Sequence, residues 1–214
     1  NLDQIVKDFN LKVDDQTITT GGISSGAYFA VQFHVAFSSF VKGVAVFAGG
    51  PYMCAMGNLM VATSTCMAPL TPYQAPKASE YKALAETAAA KGNIDPLTNL
   101  ADDPVFVFSG ALDSVISQSV VKSAAELYGY FMPTANIQTE YTINAEHTQP
   151  TLNFGNECRK LGSPYISKCS YDGAGIALKH LYGSLTSSVS MVSSNLMQFD
   201  QTSYFSGSKT SLNN

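Results

Sequence analysis

Ser24 lies in Gly22-Ile23-Ser24-Ser25-Gly26, a G-x-S-x-G pentapeptide. Such a segment can hold a serine on a sharp strand-to-helix turn. The hydroxyl is then exposed, and the helix N-terminus points free N–H groups at a reacting oxygen. The chemistry that suits this arrangement is acyl transfer, with Ser24 as nucleophile and the Ser25 backbone N–H as an oxyanion donor. Glycine and serine are common here, and the same residues would also make a turn without catalysis, so the weight rests on the partners. A serine nucleophile needs a base, and the chain has three histidines. His34 falls inside the helical pattern after the pentapeptide and His180 inside a late helical pattern, so both read as structural or surface residues. His147 sits in Asn144-Ala145-Glu146-His147-Thr148-Gln149-Pro150, a loop after a predicted strand, where α/β sheets place their chemistry. The third member must orient the imidazole. Asp113 follows the predicted strand at Val105–Phe108 directly, whereas Asp102 and Asp103 precede it and belong at the opposite edge of the sheet. The order Ser24, Asp113, His147 is the chain order of α/β-hydrolase triads.

These residues need elements to position them. Residues 16–20 read as a short β-branched strand entering the pentapeptide, and residues 27–39 as a helix with Phe29, Phe33 and Phe37 on one face. Residues 43–48 form an apolar run suited to a strand buried on both faces. A loop rich in Met, Thr and Pro follows, to about Pro76. Helices are predicted at 79–91, 119–130 and 173–181, the last with Asp172 as N-cap, and strands at 105–108 and 137–143. The alternation predicts an α/β class: an α/β-hydrolase core, a mostly parallel sheet with helices on both faces. Residues 1–185 read as the catalytic region. Residues 186–214, dominated by Ser, Thr and Asn, read as a linker or edge segment.

Composition excludes several classes. The chain has 214 residues and a net charge of -4, and only 13% of its residues are charged. The low charge argues against disorder of the acidic or basic kind, and no basic stripe suggests nucleic acid. No apolar run approaches a membrane span. The sequence begins at Asn1 without a leader-like segment, as a mature form would. The four cysteines, Cys54, Cys66, Cys158 and Cys169, contain no C-x-x-C, so no metal site is expected. Their spacing suggests two local disulfides, Cys54–Cys66 and Cys158–Cys169, and an oxidising compartment. Four buried free thiols are the alternative.

The stretch GISSGAYFAVQFHVAFSSFVKGVAVFAGGPYMCA resembles the nucleophile region of secreted poly(3-hydroxybutyrate) depolymerases. SGALDS and AEHTQPT resemble that family's Asp and His segments, and SPYISKCSYDGAGIALKHLYGSL the segment after the histidine. The resemblance runs from about residue 17 to residue 185. It implies an extracellular, or periplasmic, cofactor-free serine esterase acting on hydroxyalkanoate polyester. It also implies a circularly permuted α/β-hydrolase whose nucleophile strand comes near the N-terminus, and both local disulfides match its pattern. Secreted feruloyl or acetyl esterases, and a non-catalytic polymer-binding homologue, are the competing readings. The departure is the family's second half, with further strands and a His-Gly-Cys oxyanion segment, which these 214 residues do not contain. About four strands would leave a strand edge open. A C-terminal segment or a second chain that completes the sheet and the oxyanion hole is therefore expected as a partner.

Overall fold

The structure is a computed structural model and describes residues 14–196 and 198. Asp15–Leu185 form one compact unit. Its centre is a four-stranded sheet, β1 (Thr20–Ile23), β2 (Val44–Phe47), β3 (Val105–Phe108) and β4 (Ile137–Glu140), in that spatial order. All three pairings are parallel, with Thr20 opposite Val44, Val44 opposite Val105 and Val105 opposite Ile137. Parallel neighbours require crossovers, which are supplied by α1 (Ser25–Ala36), by α2 (Leu59–Thr63) with α3 (Ala78–Ala90), and by α4 (Gln118–Tyr128). A second, parallel sheet contains β5 (Gln149–Thr151), β6 (Asn156–Glu157) and β7 (Ile166–Lys168), in the order β5-β7-β6. Helix α5 (Gly173–Tyr182) follows.

The sequences VAVF and VFVF are wholly apolar because β2 and β3 are covered on both sides. Val44, Val46, Val105 and Val107 point into one core with Ala27, Ala30, Val31 and Val35 of α1 and Val120, Val121 and Leu127 of α4. Ala45, Phe47, Phe106 and Phe108 point the other way, into a second core with Ala177 of α5. The period-2 alternation of a strand thus distributes side chains between two helical layers. Each fully buried valine contributes about 1.5–3 kcal/mol relative to exposure. The α/β-hydrolase architecture with a mostly parallel sheet and helices on both faces is as the sequence predicts.

Several elements differ in detail. The strand expected at 16–20 is displaced: Asp15–Thr17 form a 3-10 turn, and β1 begins at Thr20 and runs through two glycines. Pairing with β2 decides its position, against local propensity. Helix α1 starts at Ser25, two residues before the expected start, and its buried face is Ala27, Ala30, Val31, His34 and Val35. Phe29 and Phe37 are 66% and 52% exposed. Phe29, Phe33 and Phe37 pack in a row along one face, the first pair stacked and the second tilted, with successive centroids 5.8 and 5.0 Å apart. Small residues on the inner face let α1 approach β1 closely. Helix α2 is unanticipated; Asn58 caps it by accepting from the Val61 N–H. The strands of the second sheet, two or three residues long, are too short to show a period.

Outside the Asp15–Leu185 unit, Ser193–Asn195 form a 3-10 turn. The expected linker lies outside the described residues at 197 and 199–214, as do residues 1–13 of the expected catalytic region.

Candidate active site

Ser24 stands between β1 and α1 with φ 57° and ψ -125°, a left-handed conformation costly for a residue with a side chain. Its N–H donates to the Phe47 carbonyl at 2.9 Å, so the turn is tied to the end of β2. A side chain at Gly22 would place Cβ 2.5 Å from the Gly26 carbonyl carbon, so the elbow closes only over glycine there. Gly26 has open space around it, and crowding does not require that glycine. Ser24 makes no side-chain capping bond to the helix, which leaves Oγ to the cavity in front of it. Ser25 is the first residue of α1 and is exposed. First-turn N–H groups have no carbonyl partner within their own helix.

Asp113 lies in the loop after β3, and its side chain is nearly sealed from solvent at 1% exposure. Oδ1 accepts from the N–H groups of Val115 and Ile116 at 2.9 and 2.8 Å. Oδ2 accepts from His147 Nδ1–H at 2.9 Å. An ionised carboxylate can only accept. This contact suits the imidazole tautomer that carries its proton on Nδ1. His147 is buried, with the Tyr165 ring edge-on, 6.3 Å between centroids. Ser24 and His147 line one cavity of about 410 Å³ together with Val115, Leu161, Pro164 and Tyr165.

The Asp and His loops are held together along their backbones. Ala111 N–H donates to the Ile143 carbonyl at 2.8 Å and Leu112 N–H to the Ala145 carbonyl at 3.1 Å. Any Cβ on Gly110 would collide with the Ala145 carbonyl, so glycine is required at that crossing. Glu146, which sequence reasoning did not single out, adds a side-chain clasp. Its Oε2 accepts from the His147 N–H at 2.7 Å and from the Ser114 N–H at 3.2 Å. Partial burial acts to raise the Glu146 carboxyl, but the hydrogen bonds from Ser114 and the His147 N–H outweigh it and hold the group below its usual range. The only signal in the sequence is its adjacency to His147.

Both disulfides have the expected partners, Cys54–Cys66 and Cys158–Cys169. The second supports the His loop, because Glu146 N–H donates to the Cys158 carbonyl at 2.9 Å. The first belongs to the loop in front of α1, where Tyr28 OH donates to the Cys66 carbonyl and Met53 N–H donates to Gln32 Oε1 at 2.9 Å.

The other two histidines lie away from Ser24. His34 is fully buried, with Nε2 3.1 Å from Asp103 Oδ2 and Nδ1 2.9 Å from the Tyr128 hydroxyl. His180 Nε2–H donates to the Asn136 carbonyl at 2.8 Å. Asp103 precedes β3, at the end of the sheet away from Asp113. Among the described residues no cluster of His, Cys, Asp and Glu could hold a metal ion, and no helix is long and apolar enough to cross a membrane.

No family model matches the chain. It is 42% identical over 197 residues to a poly(3-hydroxybutyrate) depolymerase of Delftia acidovorans, covering 91% of this chain and 39% of that protein. It is 35% identical over 195 residues to a polyhydroxybutyrate depolymerase of Talaromyces funiculosus, covering 88% of this chain and 55% of that protein. The crystal structure of PHB depolymerase from Penicillium funiculosum matches with a TM-score of 0.72 at 35% identity, over 82% of this chain and 54% of the other. A serine-to-alanine variant of PHB depolymerase complexed with R3HB trimer matches with a TM-score of 0.71 at 35% identity, over 81% and 53% of the two chains. The chain spans about two fifths to just over half the length of these relatives.

Proposed function

The chain is a homologue of the poly(3-hydroxybutyrate) depolymerases over most of its length, and from that premise we propose that it is a secreted serine esterase that hydrolyses poly(3-hydroxybutyrate) or a related hydroxyalkanoate polyester. The observation that carries this reading is the cavity shared by Ser24 and His147, with His147 oriented by Asp113.

In this mechanism His147 Nε2 takes the proton from Ser24 Oγ as the oxygen attacks an ester carbonyl carbon. The Ser25 N–H holds the oxyanion of the tetrahedral intermediate. The C–O bond to the alcohol then breaks, and His147 gives its proton to the departing oxygen. Water repeats the sequence on the acyl-enzyme and releases the acid. Asp113 keeps His147 in the productive tautomer and stabilises the imidazolium. The chemistry needs only these side chains and water, with neither metal nor cofactor. Two disulfides in so small a unit fit an oxidising, extracellular or periplasmic location.

The active unit, in this reading, comprises residues 1–185 as catalytic region plus a further strand-bearing segment. That segment comes either from the C-terminal side or from a second chain. Among the described residues β1 pairs on one side only, with β2, and such an edge accepts a further strand. The same segment would bring the second oxyanion donor, whose loss typically costs about a hundred- to a thousand-fold in turnover. Intact mass and activity measured on one sample test this: full polyester activity from a monomeric 22.8 kDa species would contradict it. A polymer-film clearing assay beside an aryl-ester assay tests the substrate class. Clearing of poly(3-hydroxybutyrate) films is expected; turnover of feruloyl or acetyl polysaccharide esters without clearing would overturn the assignment.

A further inference from the structure

Ser24 stands between two cavities. One, of about 410 Å³, contains His147. The other, of about 670 Å³, lies on the Ser25 side and is lined by Tyr28, Met53, Ala62, Met67 and Ile116 together with the Cys54–Cys66 disulfide. Ser24 is the residue the two share. The volume of the second falls in the range of small-molecule sites. Two of its polar groups are engaged by its own wall: the Tyr28 hydroxyl donates to the Cys66 carbonyl, and Gln32 Oε1 accepts from Met53 N–H. What faces the space is chiefly thioether and aliphatic surface.

The chemistry assigns the two sides of the scissile bond, on the reading that Ser24 is an esterase nucleophile. The proton on His147 must reach the alcohol oxygen as the C–O bond breaks, so the leaving alcohol occupies the cavity that contains His147. With the carbonyl carbon on Ser24 Oγ and its oxygen at the Ser25 N–H, the acyl remainder has the other side to enter. We infer that the Met-walled cavity beside Ser25 is an acyl-side pocket that admits acyl groups longer than butyryl, and that Ala62 and Met67 set the length accepted. Methionine adapts its shape to what it packs against, which suits a pocket for apolar chains of varied length. The wall is the 54–66 disulfide loop, braced against α1 by Tyr28 and Gln32, so the pocket is built on the helix that begins at the nucleophile.

The test is the ratio of kcat/KM for p-nitrophenyl octanoate to that for p-nitrophenyl acetate, measured on the intact protein and on Ala62→Trp and Met67→Ala, each checked for folding by circular dichroism. The alcohol is the same in both esters, so the ratio reads the acyl side alone. Filling the pocket with Ala62→Trp should lower the ratio on the order of tenfold, the scale on which a hydrophobic pocket discriminates chain length. Met67→Ala enlarges the space without crowding it and should shift preference toward dodecanoate. It keeps the inference testable if the tryptophan variant does not fold. Turnover of both esters with ratios unmoved by either variant overturns the acyl-pocket assignment alone. No turnover of either ester by the complete active unit, with its further segment present, overturns the esterase reading beneath it.

Discussion

Asp113 and His147 sit on the loops that follow two adjacent parallel strands, β3 and β4, and His147 Nδ1–H meets Asp113 Oδ2 at 2.9 Å. The pairing is over-determined. Asp113 Oδ1 is fixed by two backbone N–H groups, and the two loops share backbone hydrogen bonds across Gly110. Asp113→Asn keeps the size of the side chain but replaces an obligatory acceptor with a group that can donate to Nδ1, which favours the wrong tautomer. We expect turnover to fall about ten-thousand-fold with an unchanged circular dichroism spectrum. Ester hydrolysis kinetics on the purified variant check this, and a loss under tenfold would remove Asp113 from the mechanism.

Glu146 should couple the His loop to pH. Its folded value lies below the ordinary 4.5. Its stabilising contribution is therefore fully present above the unfolded value and is lost as pH falls through the lower folded one. The stability difference between the intact protein and Glu146→Gln should be largest at neutral pH and shrink below about pH 4. Denaturant melts across that range measure it; a difference that grows on acidification would contradict the assigned role.

His34 gives a prediction of the opposite kind. The buried Asp103–His34–Tyr128 chain ties α1 to the segment before β3 and to α4. His34→Ala leaves Asp103 buried without that partner and should cost about 3 kcal/mol of stability. Activity per folded molecule should be retained, because His34 is remote from Ser24 in this fold. Thermal melts and kinetics on the same preparation separate the two effects.

The disulfides close loops with sequence separations of 12 and 11 residues, and each should contribute about 3 kcal/mol on the chain-entropy model. Non-reducing peptide mapping should recover Cys54 with Cys66 and Cys158 with Cys169. Removing the second pair should impair catalysis before it unfolds the protein, because Cys158 supports the Glu146 backbone. Equal activity of folded Cys158→Ser/Cys169→Ser would argue against that support.

How much was legible in the sequence follows from what each feature depends on. Val105–Phe108 could be placed to the residue because a strand buried on both faces is apolar throughout. The order of Ser24, Asp113 and His147 could be read because each follows a strand. The α1 phenylalanines share one face, as their spacing predicts, but helical spacing does not say which layer a face meets; here alanine and valine face β1, and the aromatics face out. Glu146 and the backbone crossing at Gly110 depend on two loops meeting across 30 or more residues of chain, as the Ser114 N–H to Glu146 bond does with a separation of 32. No local pattern encodes that.

The central claim is that Ser24 is the nucleophile. Ser24 occupies a strained elbow, makes no side-chain bond to the helix and lines one cavity with His147, so its removal should cost chemistry rather than packing. The direct measurement is poly(3-hydroxybutyrate) and aryl-ester turnover by Ser24→Ala beside the intact protein, with thermal melts on both. The account predicts a loss on the order of a million-fold at an unchanged melting temperature. Near-normal turnover by the folded Ser24→Ala variant would contradict it.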